Sequence, residues 1–425
     1  MPKLASGCCL LVLAIAETAC SSARTEWAGT VVDSAGVTVV SNPAKGTWTT
    51  ASAWKIEEET RIGANEGDPN YQFGQIGSIA IDSDGQLFVL DAQARNVRVF
   101  TSDGRYLRTI GGPGNGPGEL GAGALFVLLG PGDTLFVPDL QNRRMNRYAP
   151  DGSSQGSFPL EIERGLPLAF RGTASGLIAE QIRPFGLPNR PTADSMDVIV
   201  ALRPNGSTDT LMQFLSGRTI NLGSDVPEIN LYSPEAVWDI TDDEQLLFAV
   251  NDQYRIGIYS RDGVLERLIT KPLRKRKVGD RDQQAVMNFM EKTWKDAGIP
   301  PQVLPRLRDM VHFGEFFPAF AAVAAGPQQT IWVQHIQVAS DLGDEELENY
   351  NLLEQTGGAE WDVFDKDGRL LGVVSMPPRF APRLFRNNKI YGVWRDEVDV
   401  QYVMRVGVLR PDEEDAGTGP QGEAE

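Results

Sequence analysis

Two histidines, His312 and His335, stand in a chain of 425 residues. Imidazole is the side chain best placed to move protons or bind metals near neutral pH. A His-ligated metal or a Ser-His-Asp relay therefore has little to draw on. Both histidines read first as structural: His312 borders a charged segment, and His335 follows the apolar run Ile331-Trp332-Val333. Thiol chemistry is narrower still. The three cysteines, Cys8, Cys9 and Cys20, fall at the very start of the chain, so the body that follows lacks a thiol nucleophile, a disulfide or a thiolate ligand.

Carboxylates are plentiful, and oxygen donors such as Asp82, Asp239 and Glu235 could serve a hard cation such as Ca²⁺. Asp82 equally explains itself as a turn residue. Asp91 and Asp139 each close an apolar strand, and they are expected to cap that strand or to pair with Arg95 and Arg144. The basic run Lys271, Arg274, Lys275, Arg276 and Lys277 stands out in a chain of net charge −17. It reads either as a solvated approach to the next helix or as an anion- or partner-binding patch, since its field survives over a Debye length of about 10 Å. With His312 at the far end of the same segment, it forms the candidate binding site. The overall acidity argues against sequence-independent binding of nucleic acid or of an anionic membrane.

The elements that must hold these residues are set by internal repetition. Ile79–Ile81, Leu87–Leu90, Val97–Phe100 and Tyr106–Ile110 read as four short strands separated by Asp-Gly turns, an antiparallel meander. One turn recurs along the chain: a large apolar residue, two variable positions, Asp or Asn, then Gly. It is seen at Phe100…Asp103-Gly104, Tyr148…Asp151-Gly152, Leu202…Asn205-Gly206, Tyr259…Asp262-Gly263 and Phe364…Asp367-Gly368. The intervals are similar except the last, which is double, so an insertion must lie there. Lys271–Phe313 supplies it. Within it Gln284–Trp294 places Val286, Phe289, Met290 and Trp294 on one helical face, and Pro300, Pro301 and Pro305 are expected to break that helix. A second, acidic insertion covers Ala339–Gln355. A last unit holds strands at Leu384–Phe385, Ile390–Trp394 and Val403–Leu409 but lacks a fourth. Trp54–Gly63, which like Arg105–Gly111 ends in Arg or Thr followed by Ile-Gly, is the strand expected to complete it and close the ring.

The residues Ile79-Ala80-Ile81-Asp82-Ser83-Asp84-Gly85, Leu87-Phe88-Val89-Leu90-Asp91 and Arg98-Val99-Phe100-Thr101-Ser102-Asp103-Gly104 resemble the six-bladed propellers with NHL-like repeats found as exported bacterial proteins. The stretch Gly111–Glu119 is similar to the link between their units. It lacks the Lys-Ser/Thr of a phosphate-binding loop and reads as structural. The resemblance implies an all-β, six-bladed propeller of four-stranded antiparallel blades over residues 54–410, with a helical insertion (271–313) between blades 4 and 5. Some propellers of this kind hold a channel Ca²⁺, and lactonases and amidating lyases share the architecture.

Outside the ring, Lys3 and the apolar run Cys8–Ala16 resemble an export signal over residues 1–23, too short to span a bilayer. Cys20 stands where a lipoprotein signal places its lipidated residue, although Glu17 departs from that pattern; cleavage after Ala23 is the competing reading. Residues 24–53 form an N-terminal extension, and the acid-rich tail 411–425 reads as disordered. The expectation is an exported, monomeric cell-envelope binding or scaffold protein without a cofactor. It would bind a protein or small-molecule partner on one propeller face and touch a membrane only through a lipid anchor. The alternative is a hydrolase or lyase that depends on a channel metal.

Overall fold

In a computed structural model, described over residues 25–411 except 161, 163–164, 186–195, 204, 217–228, 349 and 353–356, the five recurring turns each join the third and fourth strands of a sheet. The glycine N–H donates back across each turn, at 2.8 to 2.9 Å, to the carbonyls of Thr101, Ala149, Arg203, Ser260 and Asp365. All five glycines hold positive φ, from 75° at Gly263 to 93° at Gly152. A second demand acts on the same atoms. A Cβ on Gly104, Gly152, Gly206 or Gly368 would press on Ile62, Ile110, Phe158 or Ile269, in the outer strand of the preceding sheet. The turn glycine therefore serves both conformation and blade-to-blade approach.

Blade 1 comprises Ile76–Ile81, Leu87–Asp91, Asn96–Phe100 and Tyr106–Ile110. Blades 2 to 5 follow in order, and blade 6 takes Phe380–Arg386, Lys389–Arg395 and Gln401–Leu409 from the end of the chain. Its outer strand is Lys55–Ile62, antiparallel to Gln401–Leu409 with Val403 opposite Ile62 and Leu409 opposite Lys55. The sixth third-to-fourth turn is thus replaced by a non-covalent seam, which is why the turn occurs five times. The chain is a six-bladed β-propeller.

Six apolar clusters lie one between each pair of neighbouring blades. The residue preceding each turn packs there: Phe100 against Ile62 and Tyr391, Tyr148 against Ile110, Phe364 against Ile269. Trp332, Phe88, Phe100 and Phe364 are fully buried, each worth about 2 to 3 kcal/mol of transfer free energy.

The extension does more than lead into the ring. Thr30–Ser34 and Val37–Ser41 form a hairpin whose second strand runs parallel to the outer strand of blade 4, Leu265–Thr270, making that sheet six-stranded. Asn42 then ties blade 4 to blade 5, donating to Thr270 O and Gly368 O and accepting from Leu370 N–H at 2.7 Å. Trp48 donates its backbone N–H to Leu371 O, and its ring meets that of Trp54 at a tilt of 41° with 5.1 Å between centres, so the segment follows the outer rim from blade 4 to the seam.

In an antiparallel meander, the turns joining strands 1–2 and 3–4 lie at one end of every blade, and the 2–3 connections and blade crossovers lie at the other. These are called below the turn end and the crossover end.

Candidate functional site

Both insertions belong to the crossover end, and they meet there. Helix α1 (Asp280–Asp296) buries Val286 fully and Ala285 nearly so. They pack with Ala339, Tyr350 and Leu352 from the acidic insertion and with Leu231 and Phe313, in an apolar cluster separate from those of the ring. Val311–Phe313 pairs in parallel with Ile229–Leu231, from the crossover between blades 3 and 4. The buried Asp282 joins the parts: one carboxylate oxygen accepts from Gly279 N–H at the helix start, the other from Ser340 N–H at 2.7 Å. Together these segments form a cap.

The helix ends at Asp296, before the prolines. Pro305 starts a second helix, α2 (Leu304–Asp309), instead of only ending the first. In the first turn its missing N–H has no intrahelical partner to lose.

The basic run is divided by the fold. Lys271 turns inward, its Nζ 2.6 Å from Asp362 Oδ2 and 5.2 Å from the centre of the Tyr254 ring. Arg276 forms a two-pronged bridge to Asp341 at 2.5 and 2.6 Å and donates to Ser340. Lys277 lies 3.6 Å from Glu315. The run is therefore not one continuous patch: Arg276 pairs with the acidic insertion, and Arg281 adds a second bridge to it at Asp344. Arg274 and Lys275 remain exposed, without an ion pair among the described residues, Lys275 lying over Phe316. His312 is exposed on the parallel sheet, in register with Asn230.

His335 belongs to a network that sequence reading missed. Asp362, fully buried in the third strand of blade 5, accepts from Tyr254 OH at 2.5 Å and pairs with Lys271, while its second oxygen lies 3.2 Å from His335 Nε2. His335 Nδ1 faces Glu360 at 3.3 Å. Burial pulls the imidazole down, but the hydrogen bond and charge of Asp362 outweigh it, and the ring is held above its usual value. The same partners hold Asp362 below the usual carboxylate range despite its burial. This network joins the root of the cap to blade 5. No local pattern marks it, because its members come from two blades.

The remaining candidates are structural. Asp91 caps as expected, accepting from the N–H groups of Gly74, Gln75, Gln93 and Ala94, but its ionic partner is Arg98, at 3.3 Å, and not Arg95. Asp139 accepts from Gly121 and Asn142. Arg144 instead donates to the carbonyls of Asn115, Gly116 and Glu119, so the glycine-rich link clasps a cation with its oxygens. Asp82 caps its turn through Asp84 and Gln86 N–H, and Glu235 is exposed. Among the described residues, no group of three or more His, Cys, Asp or Glu side chains is arranged to hold a metal ion.

The central channel encloses about 870 Å³ and is lined from mid-blade to the turn end. Asp239 faces it, with Arg171, Arg383, Arg386 and Asp242, beside the aromatic rings of Phe126 and Phe170. Asp239 accepts from Ala325 N–H at 2.8 Å and lies 3.6 Å from Arg171.

The DUF5128 family, described as a six-bladed beta-propeller, matches residues 67–153, which hold blade 1 and most of blade 2. No curated protein matches the chain by sequence. Among solved structures, a DUF4221 family member from Bacteroides vulgatus aligns over 85% of this chain and 100% of its own, at 10% identity and a TM-score of 0.51. That likeness is one of fold. A protein from Bacteroides fragilis described as exported aligns over 88% of this chain and 100% of its own, at 11% identity and a TM-score of 0.49. Virginiamycin B lyase from Staphylococcus aureus aligns over 84% and 100%, at 10% identity and a TM-score of 0.42.

Proposed function

We propose that this propeller is an exported binding protein of the cell envelope, anchored through Cys20, that receives a protein or small-molecule partner on its crossover end. The observation that carries the reading is the cap. Three crossover-end segments leave the repeat, fold onto one another and build a core of their own, whereas a ring needs only short links to close. Loops grafted on a rigid scaffold are where binding residues concentrate. Arg274, Lys275 and His312 are the cap residues of the candidate set that stay exposed and, among the described residues, free of ion pairs, and they are the proposed contact points.

The test is in-cell crosslinking of the full chain, followed by capture, against a variant carrying Arg274→Glu and Lys275→Glu. The expected outcome is a defined partner lost in the variant at unchanged melting temperature, and release of the Cys20→Ala protein from the membrane fraction. The same partners recovered from both proteins would overturn the placement on the cap. An unaltered membrane fraction for Cys20→Ala would overturn the anchor.

A further inference from the structure

The channel holds a side chain that crosses it. Arg386 is the last residue of the inner strand of blade 6, and blades 3 and 4 stand on the far side of the ring. Its Nη1 donates to Asp242 Oδ1 of blade 4 and its Nη2 to Gly172 O of blade 3, both at 2.9 Å. The two-residue turn behind it, Asn387-Asn388, holds both residues at positive φ, 52° and 58°. Such a hairpin turn fixes the direction of the strand end and so aims the guanidinium across the opening.

Three arginines, Arg171, Arg383 and Arg386, and three aspartates, Asp239, Asp242 and Asp243, line this part of the channel. Asp242 Oδ1 accepts from Arg386 and from Ala174 N–H at 2.8 Å, and Asp239 Oδ2 accepts from Ala325 N–H with its Oδ1 beside Arg171. The guanidinium groups of Arg171 and Arg386 share these contacts but keep donors that no described residue accepts. Arg386 Nε is buried without a partner, and Arg171 is 41% exposed, with one hydrogen bond to Phe170 O. A buried donor left unmade costs free energy that an acceptor of matching geometry recovers. The Nε edge of a guanidinium is half of the fork that receives a carboxylate.

We propose that the channel binds a small carboxylate-bearing molecule, its carboxylate on the Nε edge of Arg386 beside Arg171 and its apolar body against Phe126 and Phe170. The cavity volume suits such a ligand, since small-molecule pockets run from about 300 to 1,000 Å³. Charged side chains and aromatic rings both line it, so a ligand with an acidic end and an apolar body can meet each. Arg386 also sets access: a ligand entering from the turn end must share the guanidinium with Asp242. This site lies at the opposite end from the cap and does not depend on it.

Calorimetric titration of the full protein with benzoate and hexanoate, against benzamide and hexanamide, tests the proposal. The carboxylates are expected to bind, and the amides about tenfold or more weakly, because they lose the charge-assisted pair. Arg171→Gln lies on an exposed side chain and should keep the melting temperature while weakening carboxylate binding about tenfold; Arg386→Gln should do at least as much. If Arg386→Gln fails to fold, Arg171→Gln decides alone. The Arg274→Glu, Lys275→Glu protein should bind as the parent does, which separates this site from the cap. Equal affinity for acid and amide, or no heat from either carboxylate on folded protein, would overturn the proposal.

Discussion

The ring and the cap are held together in different ways. In the ring, each blade packs on two neighbours, and the closing strand Lys55–Ile62 leaves no first or last blade. The cap has one small core, around Val286 and Ala339, and hangs from the ring by its ends and by the Lys271–Asp362–His335 junction. Circular packing makes every interface depend on the others. A cap outside that circle can open while the circle holds. Stability in this fold is therefore carried by closure and the capacity to vary is carried by crossovers, as local unfolding units in other folds would suggest.

The sharpest way to break this contrast is to open the circle. Deleting Trp54–Gly63 removes the seam strand and the buried Trp54 and Ile62, and exposes a sheet edge. The expected outcome is loss of the cooperative melt, read by circular dichroism on heating. A truncated chain that melts like the parent would show that the ring does not depend on closure.

Paired glycine substitutions give a smaller, graded comparison. Gly368 holds φ at 84°, and a Cβ there would lie 2.7 Å from Ile269 Cγ1 of the preceding blade. Gly368→Val should cost about 3 kcal/mol through backbone strain and overpacking. Gly298, past the end of α1, holds φ at 76°, with nothing within 4 Å of the same position. Gly298→Ala should cost only the backbone component, about 1 kcal/mol. Equal losses of stability in denaturant titrations would mean that the blade-to-blade approach contributes nothing at the ring turn.

The smallest effect concerns the junction. Asp362 titrates below its usual 3.8 in the folded protein, so its contribution is complete above that value and is lost as acid carries the pH through the lower, folded one. His335 titrates above its usual 6.5, so its contribution is complete below that value and fades as the pH rises through the higher, folded one. Between those limits the cap is tied most tightly. Amide protection factors of residues 271–313, taken relative to intrinsic exchange at each pH, should be highest there and should fall on either side, with the blade strands changing less. A profile flat across both limits, or one that moves cap and ring together, would erase the distinction between them.

Legibility followed the same division. The Asp-Gly and Asn-Gly turns were readable because a positive φ and a tight approach can each be met by few residue types, and both demands recur in every blade that has the turn. The helix in the insertion was readable from Val286, Phe289 and Met290, whose spacing is local. Asp362, Tyr254 and Arg386 were not, because a lone Asp, Tyr or Arg in a strand carries no periodic mark. What makes them matter is a partner 91 to 214 residues away. Arg95 was the wrong partner for Asp91 for a related reason: Arg98 shares its sheet and reaches the carboxylate across the strands.

By itself, the sequence determined the repeat, the number of blades, the place of the helical insertion and the strand that completes the last sheet. Each follows from short-range patterns of turn glycines and alternating apolar residues. Tertiary structure alone decided that Arg276 and Arg281 of one insertion pair with Asp341 and Asp344 of the other, that the N-terminal hairpin lengthens blade 4, and that one arginine spans the channel. Those outcomes depend on which blades face one another once the circle has closed, and a linear string carries no distance across a ring.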